Sequence, residues 1–198
     1  MTKHENALQW LKNEPGVFMI RPICRMGNPI LRKIAEDVSP DQIKTVYFDQ
    51  LVEDLRDSMK HYGGIGIAAP QIGISMKVCV IQLEGMNRYG QEINLPFTVF
   101  INPNIEVLST EERGYWEGCL SAPGLRGFVE RPQHIRVSFL NENCEQVSIE
   151  AHGFLATVVQ HELDHLFGKL YVDRVKKTEQ LVYQEEFEEF IQPALSLE

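Results

Sequence analysis

Apolar residues recur at helical spacing between Ser39 and Gly63, where Ile43, Tyr47, Leu51, Leu55 and Met59 share one face. Ser39 is placed to cap this helix, Pro40 suits its first turn, Gln42 completes a capping box and Gly63 stops it. The period then changes. "MKVCVIQL" (76–83), "FTVFINP" (97–103), "HIRVSFL" (134–140) and "QVSIEA" (146–151) predict strands, being rich in β-branched and aromatic residues. Helical spacing returns in "GFLATVVQHELDHLF", with Gly168 as its stop. It returns again around "QLVYQEEFEEFI", which predicts a last amphipathic helix with Tyr183, Phe187, Phe190 and Ile191 on one stripe. Ahead of these elements lie an amphipathic lead (Leu8 and Leu11, then Pro15-Gly16) and a turn at Gly27-Asn28-Pro29. A helix, several strands and then helices, without β-α alternation, predict an α+β fold.

A chain of 198 residues with 43% hydrophobic content is long enough for one good core and short for two. The expectation is one domain over 1–198, with residues 1–20 as an N-terminal extension and 178–198 as an acidic C-terminal helix. No repeat or low-complexity linker divides it. The net charge is −9, and no Lys or Arg follows Lys177. Such a surface repels phosphate backbones, which argues against direct nucleic-acid binding. Cys24, Cys79, Cys119 and Cys144 form no C-x-x-C pair and no dense disulfide framework. The first residues have no apolar signal core, and no apolar run reaches the length of a membrane span. A reducing cytoplasm is the expected location.

Chemistry concentrates in "VVQHELDHLFG" (158–168), which contains His161-Glu162-x-x-His165. On a helix the two histidines lie about 40° apart around the axis and about 6 Å apart along it, so both rings can meet one ion. Glu162 sits about 60° beyond His165, within reach of a water on that ion without ligating it. Val158 and Phe154, one or two turns earlier, can wall an apolar pocket. The rest of the segment is apolar, and buried imidazoles and carboxylates need partners, which favours a metal over a scatter of surface polar residues.

A third ligand is required. The metzincin pattern H-E-x-x-H-x-x-G-x-x-H is followed as far as Gly168, but its final position is Tyr171. A thermolysin-like protease uses a glutamate about twenty residues beyond the second histidine, and Glu185 stands at 185 − 165 = 20. Glu185 belongs, however, to a charged cluster that a solvated helix face explains. The rival is Cys119 in "YWEGCLSAPG", where the glycine and the Ser-Ala-Pro-Gly turn suggest an irregular backbone able to aim a thiolate inward. A lone cysteine nucleophile is the other use of such a residue. Cys24, Cys79 and Cys144 read as packing or edge residues. The stretch "GGIGIAAPQIG" (63–73) matches a relaxed dinucleotide fingerprint at Gly64-x-Gly66-x-x-Ala69, but it leaves a helix and enters a strand, the reverse of that motif. Taken alone it is a turn whose backbone can approach a ligand closely, with Gln71 as its polar side chain. Asp164 is placed either to pair with Arg131 or to face solvent.

Together "GIGIAAPQ" (64–71), "EGCLS" (117–121) and "QHELDH" (160–165), in that order, resemble the three motifs of the peptide deformylases. "GNPILR" (27–32) and "GKLYVDR" (168–174) resemble that family's flanks, so the likeness covers residues 21–176 or so. It implies mostly antiparallel β-sheets packed around a central metal-binding HExxH helix, with a C-terminal helix. It implies a hydrolase that removes formyl from the N-terminal formylmethionine of newly synthesised polypeptides and releases formate. By that likeness Cys119, His161 and His165 bind one divalent metal, natively Fe²⁺, which Zn²⁺, Ni²⁺ or Co²⁺ can replace. Glu162 is then the general acid/base, Gln71 and the Leu120 backbone N–H form an oxyanion hole, and Ile65, Gly66 and Val158 line the substrate cleft. The expected partners are N-formylmethionyl nascent polypeptides, with no membrane, and the protein a monomer or weak dimer. The competing expectations are a zinc endopeptidase using His161, His165 and Glu185, and a non-catalytic metal-binding module.

Overall fold

The helix expected from Ser39 to Gly63 is two helices, α1 (Pro40–Ile43) and α2 (Val46–His61). Ser39 and Gln42 form the capping box on α1. Thr45 then starts a second helix, because its hydroxyl accepts from the Phe48 N–H at 3.2 Å while donating to the Gln42 carbonyl at 2.7 Å. The second cap breaks the helix and turns its face: Ile43, Leu51, Leu55 and Met59 stay buried, but Tyr47 of the expected stripe is 53% exposed and Phe48 is buried instead. The structure is a computed structural model and describes residues 20–86, 89–90 and 92–195. The amphipathic lead with Leu8 and Leu11 lies outside the described residues.

After α2 come β1 (Gly66–Ala68), a 3₁₀ turn at Ala69–Ile72, β2 (Val78–Met86) and β3 (Glu92–Val107). The hairpin of β4 (Glu112–Cys119) and β5 (Ala122–Pro132) follows, then β6 (His134–Leu140) and β7 (Gln146–His152). The chain closes with α3 (Gly153–Leu166), β8 (Leu181–Tyr183) and α4. The last helix runs through Gln184–Glu186, Phe187–Ile191 and Gln192–Leu195, its middle segment wound as π. All strand pairs are antiparallel, in a five-stranded sheet ordered β1-β2-β3-β6-β7 and a three-stranded sheet ordered β4-β5-β8. The sequence pattern did not predict β1, β4, β5 or β8. Pro123, Gly124, Gly127 and Pro132 make β5 read as turn, and β1 and β8 are three residues each.

The five-stranded sheet separates two apolar cores. On one face Val78, Val80, Val99 and Ile101 pack with Phe48, Leu51, Leu55 and Met59 of α2. On the other, Cys79, Ile81, Phe100, Ile135 and Val137 pack with Ala156, Val159, Leu163 and Leu166 of α3. A strand covered on both sides has no polar face to show, which is why β2 reads as an unbroken apolar run. α3 also touches β4 and β5, so it lies between the two sheets.

The expected C-terminal stripe is only partly buried. Tyr183 belongs to β8, opposite Leu125, and is 67% exposed; Phe190 is 66% exposed. Phe187 alone of the four is fully buried, 5.3 Å from the Trp116 ring. Strand pairing and the π segment both move residues off the 3.6-residue period on which the stripe was drawn.

Asn102 ties the first helices to the sheet. Its side chain accepts from the Val38 N–H and donates to the Val38 carbonyl, both at 2.8 Å, while its backbone holds φ = 49°. Asn102→Ala loses both bonds and keeps a left-handed backbone that alanine resists, so we expect destabilisation of about 2–4 kcal/mol. Asn102→Gly loses the bonds alone and should fall less. Urea unfolding of the two variants measures the difference.

Candidate functional site

Cys119 ends β4, and α3 presents His161 and His165 toward it. The donor atoms of the three residues lie within 4.8 Å of one another, with Cys119 Sγ 3.3 Å from His165 Nε2. Glu117 Oε2 lies 2.7 Å from His161 Nδ1. A carboxylate only accepts, so Nδ1 carries the proton and the Nε2 lone pair is left for a ligand. Burial opposes a thiolate at Cys119, but the His165 and His161 imidazoles outweigh it and hold the thiol well below its ordinary pKa. Glu162 is 5% exposed, its Oε2 has no partner, and burial raises its pKa. His165 Nδ1 is likewise buried without a partner. One soft thiolate, two imidazole nitrogens and an unmatched carboxylate beside them fit a divalent transition metal.

Behind the histidines lies an ion network. Arg131 of β5 is 1% exposed and bonds Glu117 at 2.6 and 3.0 Å and Asp164 at 2.8 Å. Arg174 bonds the same Asp164 at 2.6 and 2.5 Å. Asp164 is therefore a buried partner of Arg131 and not an exposed acid. Burial raises the pKa of its carboxyl, but the two arginines more than offset this and lower it.

In front of them is a cavity of about 340 Å³, lined by Gly64, Ile65, Gly66, Gln71, Cys119, Leu120, Phe154, Val158, His161 and Glu162. Gln71 has a fixed orientation. The Ala68 N–H lies 2.8 Å from its amide oxygen, which must accept, so the NH₂ faces Ser121 Oγ at 3.2 Å and Cys119 Sγ at 3.5 Å. Leu120 stands at the turn between β4 and β5. Gly66 is required by proximity: a Cβ there would lie 2.6 Å from the Glu162 carboxylate carbon. The loop read as a turn thus lays edge strand β1 against the Glu162 carboxylate.

Every site residue expected from the sequence meets at this cavity or behind it except Glu185, which is exposed on α4 and outside the cluster. Cys24, Cys79 and Cys144 are free and also outside it. The expected irregular backbone at Cys119 is a strand end, with a register shift between Glu117 and Cys119 that turns the thiol inward. Sequence reasoning missed Glu117, although it opens the "EGCLS" motif. It also missed Trp116, Arg126 and Gln184 on the cavity wall, where Arg126 Nε donates to Gln184 Oε1 at 2.5 Å. Those contacts join residues 58 apart, and no local spacing announces them.

The family model described as Polypeptide deformylase matches residues 20–181. The chain belongs to the polypeptide deformylase family. It is 46% identical over 170 residues to a peptide deformylase of Leptospira biflexa, covering 85% of this chain and 95% of that protein. It is 42% identical over 167 residues to peptide deformylase 1 of Bordetella pertussis, covering 84% and 94%. Among solved structures it resembles a class I type b peptide deformylase of Acinetobacter baumannii with Met-Ala-Ser bound. That match has a TM-score of 0.76 and 36% identity, and covers 80% of this chain and all (100%) of the other. A peptide deformylase of Thermotoga maritima matches with TM-score 0.70 and 34% identity, covering 80% and 99%.

The close approach at Gly66 yields a test. In Gly66→Ala the methyl group must displace Glu162, and a displacement of about 1 Å costs roughly 10² in rate for a positioned catalytic group. We expect turnover to fall by about that factor while metal content, measured by elemental analysis, stays at the wild-type level.

Proposed function

We propose that this chain removes the formyl group from the N-terminal formylmethionine of new polypeptides, with Cys119, His161 and His165 holding one divalent metal. The carrying observation is convergence: the three donors lie within 4.8 Å of one another, and Cys119, His161, Glu162 and Gln71 line one cavity in a member of this family. The family is one of metal-dependent enzymes. The metal we assign is Fe²⁺, replaceable by Zn²⁺, Ni²⁺ or Co²⁺, since thiolate and imidazole ligands suit all four. When bound, such an ion supplies Lewis acidity and makes water acidic near neutral pH.

The side chains do the rest. Glu162 accepts a proton from the attacking water, whose oxygen bonds to the formyl carbon. Negative charge then grows on the formyl oxygen, where the Gln71 NH₂ and the Leu120 N–H donate to it. As the C–N bond breaks, Glu162 returns the proton to the leaving amine, and formate and a free amino terminus result. Ile65, Gly66 and Val158 wall the place of the methionyl chain. The Met-Ala-Ser bound by the Acinetobacter baumannii neighbour is the peptide that formyl-Met-Ala-Ser leaves after this reaction. In this reading α3 is the metal-binding centre around which both sheets pack, residues 1–198 act as one domain, and the protein works in the cytoplasm as a monomer or weak dimer. No described helix is long and apolar enough to cross a membrane. An endopeptidase needs Glu185 as a ligand, and its exposed position on α4 speaks against that.

The reaction is tested by formate release from formyl-Met-Ala-Ser with iron or zinc loaded; cleavage of internal amides instead, with no formate, overturns it. Two substitutions separate base from ligand. Glu162→Gln should keep its metal and lose at least about 10²–10⁴ in kcat, the usual worth of proton transfer. His161→Ala should lose both metal and turnover. A metal-free or fully active Glu162→Gln contradicts the role assigned to it. Gln71→Leu should retain metal and lower kcat by about 10²–10³, the effect of removing one oxyanion donor. Turnover near wild type would reduce the glycine-rich loop to a structural turn.

A further inference from the structure

On the face of the five-stranded sheet turned away from α3, three more metal-ligating side chains meet. His134 of β6 and His152 of β7 are direct cross-strand partners, and Glu150 lies two residues before His152 on the same face. Ile135 and Ala151, between them, point the other way into the α3 core. The donor atoms of His134, Glu150 and His152 lie within 4.8 Å of one another. The two imidazole rings stack with centroids 4.0 Å apart and planes 24° apart, and His134 Nε2 is 3.1 Å from Glu150 Oε2.

We propose that this triad is a second, peripheral site for a divalent transition metal such as Zn²⁺. An ion about 2.0–2.2 Å from both His134 Nε2 and Glu150 Oε2 would subtend roughly 100° across their separation, close to the tetrahedral angle zinc adopts. The stacked imidazole planes send their in-plane lone pairs nearly side by side, so one ion can meet both rings only after one of them swings out of the stack. That rotation is easy for His152, which is exposed at the edge strand. The carboxylate is already oriented. Arg136 donates to Glu150 Oε1 at 2.8 Å and to Glu106 Oε2 at 2.8 Å, leaving Oε2 of Glu150 turned toward the imidazoles. Such outer hydrogen bonds to a ligating carboxylate commonly tune a metal site. Glu106, Arg136 and Glu150 together carry one negative charge, which favours a cation. His152 also precedes the first turn of α3, whose positive dipole end acts against a cation there. Three protein ligands leave water in the remaining position, so the site is open.

Bound metal would clamp edge strand β7 to β6 just before the helix that carries the catalytic-type histidines. Calorimetric titration of zinc-loaded holoenzyme with further Zn²⁺ should show a second equivalent, and the thermal midpoint should rise as that equivalent fills, by ordinary linkage. His134→Ala and His152→Ala should each weaken this equivalent by about tenfold or more and abolish the rise in midpoint, while retaining the first zinc. Circular dichroism verifies that each variant folds, and His134→Gln and His152→Gln replace any that does not. The absence of a second equivalent in the wild type overturns the proposal, and so does an equivalent of unchanged affinity in the double variant. Because the readout is binding at residues that do not line the cavity, deformylation assays do not enter it.

Discussion

Arg131 carries the architecture of the site. Its guanidinium is buried between Glu117 of β4 and Asp164 of α3, so one cation fastens the hairpin that holds Cys119 to the helix that holds both histidines. With Arg174 on the far side of Asp164, two positive and two negative side chains balance. Removing one member of such a network typically costs about 3–5 kcal/mol, because a charge is left buried without its partner. Stability alone does not account for it, since apolar side chains of similar volume serve buried positions as well. What the network adds is aim. Glu117 accepts the hydrogen bond of His161 Nδ1–H, and the Arg131 bonds hold Glu117 still while it does so.

Charge in the cavity follows a related logic. The thiol of Cys119 is pulled toward its anion against its burial, and Glu162 is pushed toward its neutral form by burial. A divalent cation reverses the second tendency, because thiolate and carboxylate together then match its charge. Under the proposed function, occupancy of the three-donor cluster and readiness of Glu162 to act as a base are therefore linked, since metal binding and ligand protonation draw on the same charges.

The histidine helix was legible because its evidence is local: a 3.6-residue period, an apolar setting and two imidazoles one turn apart. The proposed third ligand was not. Cys119 lies 46 residues before His165, and spacing could not choose between it and Glu185; the ordered motifs did. Boundaries failed where a second local rule competed with periodicity, as when the Thr45 cap split the first helix. β5 was hidden by its prolines and glycines, yet Gly127 is there because a Cβ would lie 2.7 Å from the Tyr171 ring. The Arg131–Asp164 pair was a choice between two readings of one acid, and burial decided it. Arg126 and Gln184 left no trace in the sequence, because only the return of β8 alongside β5 brings them together.

The site sits where the two sheets approach each other, and that location explains the glycine at position 66. β1 is the edge of the larger sheet and contributes Gly66 and, through the turn that follows, Gln71. The smaller sheet contributes Cys119 and, at its turn, Leu120, while α3 bridges the two. Because β2 is packed on both faces, the larger sheet cannot slide to accommodate a side chain at its edge without disturbing both cores. The distance from β1 to Glu162 is thus set by packing that lies outside the cavity. Only a residue without a side chain fits that distance, so the carboxylate rests against backbone, with its second oxygen buried and without a partner.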